Sequence, residues 1–353
     1  MPPFKDQLGP AAVHALADAQ RAVDPAFPHA RFITTALDGL EPLELKDRVR
    51  SIAAALRASL PADWPAALDR LVRAMPASTP FVHWPILQVV EEYGLDHPEA
   101  SLDALRLLTP RFSAEFAVRP YIERHPELAW SRIEAWAADP DEHVRRLASE
   151  GSRPRLPWGR RLSACVADPS RGLALIERLV DDPSPYVRRS VANHLGDVAK
   201  DHPALAVEVA RRWGPQRIEL ARHGLRTLLK AGDPEALALF GHATPQVRVQ
   251  SQSVEPGTVQ VGGSVELRAR LVAEQACHVR VDVVWAWPGA RKGWSSRTFR
   301  GSDRDLAAGE AWDFRLRLSM RPVTTRPLRP GEQRLHLRIS GQDQPPVSFT
   351  LEP

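Results

Sequence analysis

Cysteine is scarce in this sequence of 353 residues, and long apolar runs are absent. The two cysteines, Cys165 and Cys277, stand 112 positions apart and offer neither a disulfide framework nor a zinc-type ligand pair. No run of about eighteen apolar residues is available to span a membrane. The first ten residues, MPPFKDQLGP, lack the apolar core of a signal peptide. We therefore expect a soluble intracellular protein of the cytoplasm.

Several motifs of well-known enzyme classes are also missing. The sequence has no Walker phosphate loop, no GxGxxG turn after a strand, no zinc spacing and no GxSxG elbow. These absences argue against nucleotide hydrolysis, dehydrogenase chemistry and serine-hydrolase chemistry.

Lysine is also scarce, because the chain has 5 lysines against 42 arginines. The planar guanidinium suits phosphates and guanine edges. A GC-rich genome explains most of such a bias. Only the placement of arginines is therefore informative.

The hydrophobic pattern changes near residue 246. Before it, apolar residues recur at helical spacing, as in LKDRVRSIAAALRASL at 45–60. After it, alternation with a period of two predicts strands, as in VELRARLVAE at 265–274. We predict an α-solenoid of HEAT-like repeats over residues 1–246, followed by an immunoglobulin-like β-sandwich of about seven strands over 247–353.

An internal repeat supports the solenoid. ADPDEHVRRLASE at 138–150 aligns with DDPSPYVRRSVAN at 181–193, an offset of 43 residues. HEAT and armadillo repeats have periods of roughly 40–47 residues. Each Asp-Pro pair is predicted to begin a helix, with the aspartate as the N-cap.

Charge differs between the two parts. Residues 247–353 have 16 lysines and arginines against 11 acids, whereas residues 1–246 have 31 against 32. Within the nearly neutral first part, six arginines between Arg145 and Arg161 surround one acid, Glu150.

The segment RRLASEGSRPRLPWGRRL at 145–162 gives the first candidate site. Gly151 permits a helix to stop after Glu150, and prolines stiffen the loop that contains Trp158. One interpretation is an ordinary loop with a solvated arginine face and Trp158 in the core. The other places Glu150 beside Trp158 on a concave, phosphate-binding surface.

Two further segments have open interpretations. In SAEFAVRPYIERH at 113–125, Glu115 and Arg119 form either an i,i+4 helix ion pair or part of the same site. In YVRRSVANHLGDVAKDHP at 186–203, Arg189, Asn193 and His194 either belong to a plain helix or contact a nucleic-acid backbone.

Together these motifs resemble the AlkC-type DNA alkylation-repair glycosylases, relatives of the AlkD family, in the branch with a C-terminal immunoglobulin-like domain. SEGSRPRLPWG followed by VANHLGDVAKDHP is the most specific part, and the likeness extends through SMRPVTTRPLRPGEQRLHL in the tail.

The resemblance implies a monofunctional glycosylase that removes cationic methylated bases, mainly 3-methyladenine and also 3-methylcytosine, from double-stranded DNA without flipping the base. It implies no metal and no redox cofactor. Glu150 would stabilise the oxocarbenium-like transition state and orient water, Glu115 would assist, and Trp158 would face the cationic lesion. We also expect a monomer that joins the nucleoid when it acts on DNA.

The resemblance also assigns DNA contacts to residues of the helical part, which are Arg119, Arg146, Arg153, Arg189, Asn193 and His194.

The positive charge of the tail has two interpretations. In one, the tail closes around the opposite face of the duplex through Arg291, Lys292, Arg321 and Arg326. In the other, the tail is a passive appendage that only covers the end of the solenoid.

Without the resemblance, two other functions fit the same residues. A catalytically silent HEAT-repeat protein would bind DNA or another protein without releasing bases. A peptide-binding scaffold would not bind DNA.

Overall fold

The computed structural model describes residues 3–74, 80–241, 247–289, 293–322 and 328–353. The chain divides into two compact units, residues 1–201 and 202–353, which are described separately below. No helix in the described ranges is both long and apolar enough to cross a membrane.

The first unit is helical in the residues that the structure describes. Its α-helices are α1 (Pro10–Val23), α2 (His29–Leu37), α3 (Leu45–Ser59), α4 (Trp64–Arg73), α5 (Trp84–Tyr93), α6 (Pro98–Leu108), α7 (Arg119–Arg124), α8 (Pro126–Trp136), α9 (Glu142–Gly151), α10 (Ser163–Ala167), α11 (Ser170–Leu179) and α12 (Pro185–Val198).

Proline begins many of these helices, as predicted. His125 precedes α8 and Pro126 occupies its first turn, where a missing N–H costs nothing. The predicted Asp-Pro N-cap is confirmed at Asp233 and wrong at three other positions. Asp139 and Asp182 lie two residues ahead of the actual N-caps, Asp141 and Ser184. Asp168 lies one residue ahead of the N-cap Pro169. These three carboxylates instead accept the backbone N–H two residues on, at 2.9–3.0 Å.

Arginines connect these turns between successive repeats. Arg106 Nε donates to Asp139 Oδ2 at 2.6 Å, and Arg145 Nε donates to Asp182 Oδ2 at the same distance. Asp139 and Asp182 are both buried, but the side chain of Arg106 is 42% exposed against 14% for Arg145, so the Arg145–Asp182 pair is the better shielded from water. The spacing that the two repeats share therefore agrees with their packing.

The second unit joins short helices to β-strands. Its helices are α13 (Pro203–Trp213), α14 (Ile218–Gly224), α15 (Arg226–Ala231) and α16 (Pro234–Leu239), and its strands are β1 (Val247–Glu255), β2 (Thr258–Gln260), β3 (Ser264–Ala273), β4 (Cys277–Pro288), β5 (Trp294–Leu306), β6 (Ala311–Ser319), β7 (Gly331–Ile339), β8 (Gln342–Asp343) and β9 (Val347–Glu352).

The strands form two sheets. One has the order β1-β3-β6, and the other has the order β2-β9-β7-β4-β5, with β8 paired to β7. The pairings are antiparallel apart from β2 with β9. Alternate residues such as Leu267, Val281 and Leu337 face a shared core, and the indole of Trp285 donates to Gln333 at 3.0 Å. The predicted sandwich is confirmed.

Two glycines join helix and sheet within the second unit. Gly232 ends α15 in the left-handed region, with φ 82°. A Cβ there would lie 2.5 Å from the Cα of Gly341, and a Cβ on Gly341 would lie 2.1 Å from the carbonyl oxygen of Gly232. Arg338 Nη1 adds a hydrogen bond to the carbonyl of Lys230 at 3.3 Å. The short helices and the sandwich therefore pack backbone against backbone.

The change from helices to strands falls between Leu239 and Val247, near the predicted boundary at 246. The compact units divide elsewhere, after Asp201. The domain boundary at 246 stays a prediction.

Candidate DNA-processing site

Glu115 and Glu150 meet through one arginine. Arg146 pairs with Glu115 Oε2 through Nη1, and its Nη2 lies 3.3 Å from Glu150 Oε1. The expected Glu115–Arg119 helix pair is wrong, because Glu115 lies before α7 and takes Arg146 as its partner. The two carboxylates singled out in the sequence therefore belong to one network of ion pairs.

The network continues inward from Glu150. Arg153 Nη1 donates to Glu150 Oε1 at 2.6 Å, and Arg153 Nε donates to Asp197 Oδ2 at 2.8 Å. Burial alone would lower the pKa of Arg153, but its bond to Asp197 and the charge of Glu150 raise it above the usual value. We refer to Glu115, Arg146, Glu150, Arg153 and Asp197 as the ion-pair network.

Glu150 occupies the last turn of α9, where the sequence predicted a helix end. Its side chain is 7% exposed, against 16% for Glu115. The hydroxyl of Ser190 on α12 donates to Glu150 Oε2 at 2.6 Å. Because both oxygens are held, the carboxylate has one fixed orientation.

Close packing explains why the last residue of α9, residue 151, is a glycine. A Cβ at Gly151 would lie 2.5 Å from Cγ1 of Val118. Only glycine allows the end of α9 to approach Val118 this closely.

Arg119 holds the loop after α9 from inside. It is fully buried, and its guanidinium donates to the carbonyls of Gly151, Arg153 and Arg160 at 2.5–2.8 Å. Burial lowers its pKa to about 10. The predicted DNA contact of Arg119 does not agree with this position, since its donors all point to the backbone.

His194 is also internal. The imidazole is 1% exposed, and its Nδ1 lies 3.0 Å from the carbonyl oxygen of Ser149. A carbonyl only accepts, so Nδ1 is the protonated nitrogen. Burial lowers the pKa of His194 to about 4, and Nε2 would lie 2.7 Å from a Cβ at Gly172. His194 thus packs α12 against α9 and α11, and a phosphate cannot reach it.

Arg146 and Arg153 likewise differ from the prediction of direct DNA contact. Their side chains are 15% and 7% exposed, and both are engaged by carboxylates. The guanidinium of Arg146 also lies 5.1 Å from the ring centre of Tyr186. These arginines position the acids of the ion-pair network.

Other predicted contacts lie nearer the surface. Arg189 is exposed and Asn193 is half-buried on α12, and Arg321 is exposed after β6. Arg291, Lys292 and Arg326 fall outside the described residues, so their predicted contacts stay predictions.

Trp158 faces solvent. Its side chain is 61% exposed, and its φ of 64° is in the left-handed region, which non-glycine residues rarely adopt. The ammonium of Lys46 donates to the Trp158 carbonyl. The interpretation of Trp158 as a core residue is therefore wrong.

The indole borders a pocket of about 300 Å³, which we call the Trp158 pocket. Its other aromatic walls are Trp84 and Phe116, whose stacked rings have centroids 5.5 Å apart. The remaining lining residues are Lys46, Arg50, Gln88, Glu91, Gly159 and Arg160. Sequence reasoning missed this pocket, although Phe116 directly follows Glu115.

Two family models match the chain. Residues 112–212 match the model described as DNA alkylation repair enzyme. Residues 248–353 match the model described as uncharacterised protein YhaZ, C-terminal Ig-like domain. The first range contains the whole ion-pair network.

Relatives extend the match to the whole chain. The uncharacterized protein YhaZ of Bacillus subtilis is 34% identical over 336 residues, which is 94% of each chain. The solved alkylpurine DNA glycosylase AlkC of Pseudomonas fluorescens, bound to DNA containing an abasic site analogue, is 33% identical. That match covers 100% of both chains with a TM-score of 0.92.

These matches, together with the ion-pair network and the C-terminal sandwich, confirm the resemblance seen in the sequence: the chain belongs to the AlkC-type DNA alkylation-repair glycosylases, in the branch with a C-terminal immunoglobulin-like domain.

Proposed function

We propose that this protein hydrolyses the N-glycosidic bond of cationic alkylated bases in duplex DNA, mainly 3-methyladenine and also 3-methylcytosine. The principal support is the full-length likeness to a glycosylase solved with abasic-site DNA. Glu115 and Glu150, joined through Arg146, supply the acidic groups that such chemistry needs. The product is an abasic site, with no covalent intermediate on the protein.

The reaction does not require a general acid to protonate the leaving base. Methylation gives the base a positive charge, so the base is already a good leaving group. The sugar develops oxocarbenium character, which nearby negative charge stabilises. Glu150 has its orientation fixed by Arg146, Arg153 and Ser190 before the substrate arrives, so little reorganisation is needed in the transition state.

Glu115 has a different position in the same network. Its side chain is the more exposed of the two acids, although it also pairs with Arg146. We assign it the role of assisting Glu150 and of positioning water next to the sugar. Arg146 keeps the two negative charges together and lowers their mutual repulsion.

DNA contact is assigned to exposed groups. Trp158 presents its ring to the lesion, which favours recognition without flipping the base. We assign contact with the DNA backbone to Arg189, which is exposed on α12, and to Asn193, which is half-buried on the same helix. In the second unit we assign the same role to the exposed Arg321 and to Arg291, Lys292 and Arg326, whose positive charge would attract the phosphates. We propose that the protein acts as a monomer in the cytoplasm.

Release of 3-methyladenine from alkylated duplex DNA tests the proposal. The wild-type chain should release the base, and Glu150→Gln should lower the rate by about 100-fold or more while leaving duplex binding intact. Glu127→Gln, at a side chain that is 88% exposed on α8, is the matched control and should keep the wild-type rate.

A wild-type chain that binds duplex DNA but releases no base would instead support a non-catalytic HEAT-repeat scaffold. Undiminished release by Glu150→Gln would refute the assigned mechanism. Thermal melting of each variant separates lost chemistry from lost folding.

A further inference from the structure

Trp158 occupies a turn position that normally requires glycine. Leu156, Pro157, Trp158 and Gly159 form a β-turn in which the N–H of Gly159 donates to the carbonyl of Leu156 at 3.1 Å. Proline at the second position and a positive φ at the third are the signature of a type II turn, whose third residue is usually glycine or asparagine. The φ of Trp158 is 64°. We call these four residues the Trp158 turn.

A less strained form of the same turn is available to this sequence. A type I turn closes with the same hydrogen bond, accepts proline at its second position and needs no positive φ. It would relieve the backbone of Trp158 and point its side chain in a different direction. The indole is 61% exposed, so packing of the ring does not explain the strained form. A contact from outside the turn must therefore favour it.

Arg119 holds the residues that follow Trp158. Its Nε and Nη2 donate to the carbonyl of Arg160 at 2.8 and 2.5 Å. A Cβ at Gly159 would lie 3.1 Å from Cδ2 of Leu156 and 3.3 Å from Nε of Arg119, so the chain is tightly packed there. These contacts fix the end of the turn, but Trp158 itself makes none of them.

The contact at Trp158 comes from Lys46 on α3. Its ammonium donates to the carbonyl of Trp158 and lies 6.0 Å from the centre of the Phe116 ring. The two bonded residues are 112 positions apart in the sequence. Lys46 thus connects α3 with the Trp158 turn and with the segment that contains Glu115 and Phe116.

Helix stability does not account for a lysine at this position. Lys46 is the second residue of α3 and is exposed. The amino end of a helix has a partial positive charge, which favours acids and disfavours a cation. Lysine is also rare in this chain, with 5 among its 47 basic residues. The bond to Trp158 gives the side chain a role that its own helix does not.

We propose that Lys46 is a positioning residue, which keeps the Trp158 turn in its type II form and thereby fixes the direction of the indole. The inference rests on the proposed function for the use of that indole in excision. Lys46 contacts no reacting atom in this assignment and acts through Trp158. Without its ammonium, the turn should relax towards type I and the indole should adopt more than one orientation.

Fluorine NMR of the full chain labelled with 5-fluorotryptophan tests the proposal without DNA. The chain has ten tryptophans, and the resonance that Trp158→Phe removes belongs to Trp158. That resonance should be single in the wild-type chain. It should split or broaden in Lys46→Met, because methionine cannot donate to the carbonyl. Lys46→Arg keeps a charged donor and should restore the single resonance.

Two matched controls accompany these variants. Arg50→Met removes a neighbouring positive charge from the same helix and the same pocket, but Arg50 pairs with Asp47 and Glu92 and not with the turn. Lys230→Met removes an exposed lysine from α15 in the second unit. Both should leave the Trp158 resonance single. A single Trp158 resonance in Lys46→Met as well would overturn the proposal.

Excision kinetics test the same assignment with DNA present. Lys46→Met should lower the single-turnover rate about tenfold in the wild-type background and leave it unchanged in the Trp158→Ala background, because the two residues act as one unit. Equal losses in the two backgrounds would overturn the positioning role. They would indicate a direct phosphate contact, which would also reduce the slope of log affinity against log salt by about 1.

The two experiments separate this proposal from the proposed function. A chain that releases no base, but whose Trp158 resonance depends on Lys46, would contradict the proposed function alone. A chain that releases 3-methyladenine, but whose Trp158 resonance does not depend on Lys46, would contradict the positioning role alone.

Discussion

His194 should make the stability of the protein depend on pH in a window that can be stated from its surroundings. The imidazole is 1% exposed, and burial lowers its pKa to about 4. In an unfolded chain the same group titrates near 6.5. Well above pH 7 both states are neutral, so His194 contributes no pH dependence there.

The sign follows from proton uptake. Between about pH 6.5 and pH 4 the unfolded chain binds a proton at His194 that the folded chain does not. Stability is therefore lost as the pH falls through this window. A difference of about 2.5 pH units corresponds to about 3 kcal/mol at the acidic end.

Urea unfolding of the wild-type chain and of His194→Asn, from pH 7.5 to pH 4.5, measures this contribution. The asparagine amide keeps a donor near the carbonyl of Ser149 but does not titrate. The variant should be less stable at pH 7.5 because of the cavity, yet its free energy of unfolding should fall less on acidification, by about 2–3 kcal/mol. The control is His14→Asn, at an exposed position of α1. Parallel pH curves for the wild-type chain and His194→Asn would refute the argument.

Three further substitutions test the site and the second unit. Ser190→Ala removes the 2.6 Å hydrogen bond to Glu150 and should lower the excision rate by about 10- to 100-fold. The affinity for duplex DNA, measured by gel-shift titration, should stay unchanged. An unchanged excision rate would show that Ser190 does not position Glu150. Gly232→Ala and Gly241→Ala both place a side chain at a positive φ, but only the first meets backbone, at Gly341. Thermal unfolding should therefore show that Gly241→Ala lowers the free energy of unfolding by about 1–2 kcal/mol, and that Gly232→Ala lowers it by about 1–3 kcal/mol more. Equal losses of stability in the two variants would contradict the packing described for Gly232.

Periodicity was sufficient to predict most of the architecture. The apolar spacing in 45–60 corresponds to α3, and the alternation in 265–274 corresponds to β3. β5 was harder to predict, because most of its residues are exposed and its 13 positions show no regular alternation. A strand whose pairing depends on neighbours rather than on a buried face has little local signal.

The residue types of the site were also predictable, but their partners were not. Arg153 looks like a phosphate ligand in the sequence because it lies in the arginine cluster, and Arg119 was assigned to DNA by the resemblance alone. Their actual partners lie up to 44 residues away, and only the packing of α9 against α12 brings Asp197 to Arg153. The orientation of Trp158 depends on a backbone angle that no spacing reveals.

The Gly232–Gly341 contact has a consequence for dividing the chain. A polypeptide shortened to residues 1–246 would keep α15 but lose the turn against which Gly232 packs, and would expose that backbone to water. Loss of excision by such a fragment would then report damaged helices as well as a missing sandwich. A division after Asp201 follows the compact units instead. The fragment 202–353 would then keep the four helices α13–α16 together with the strands against which they pack.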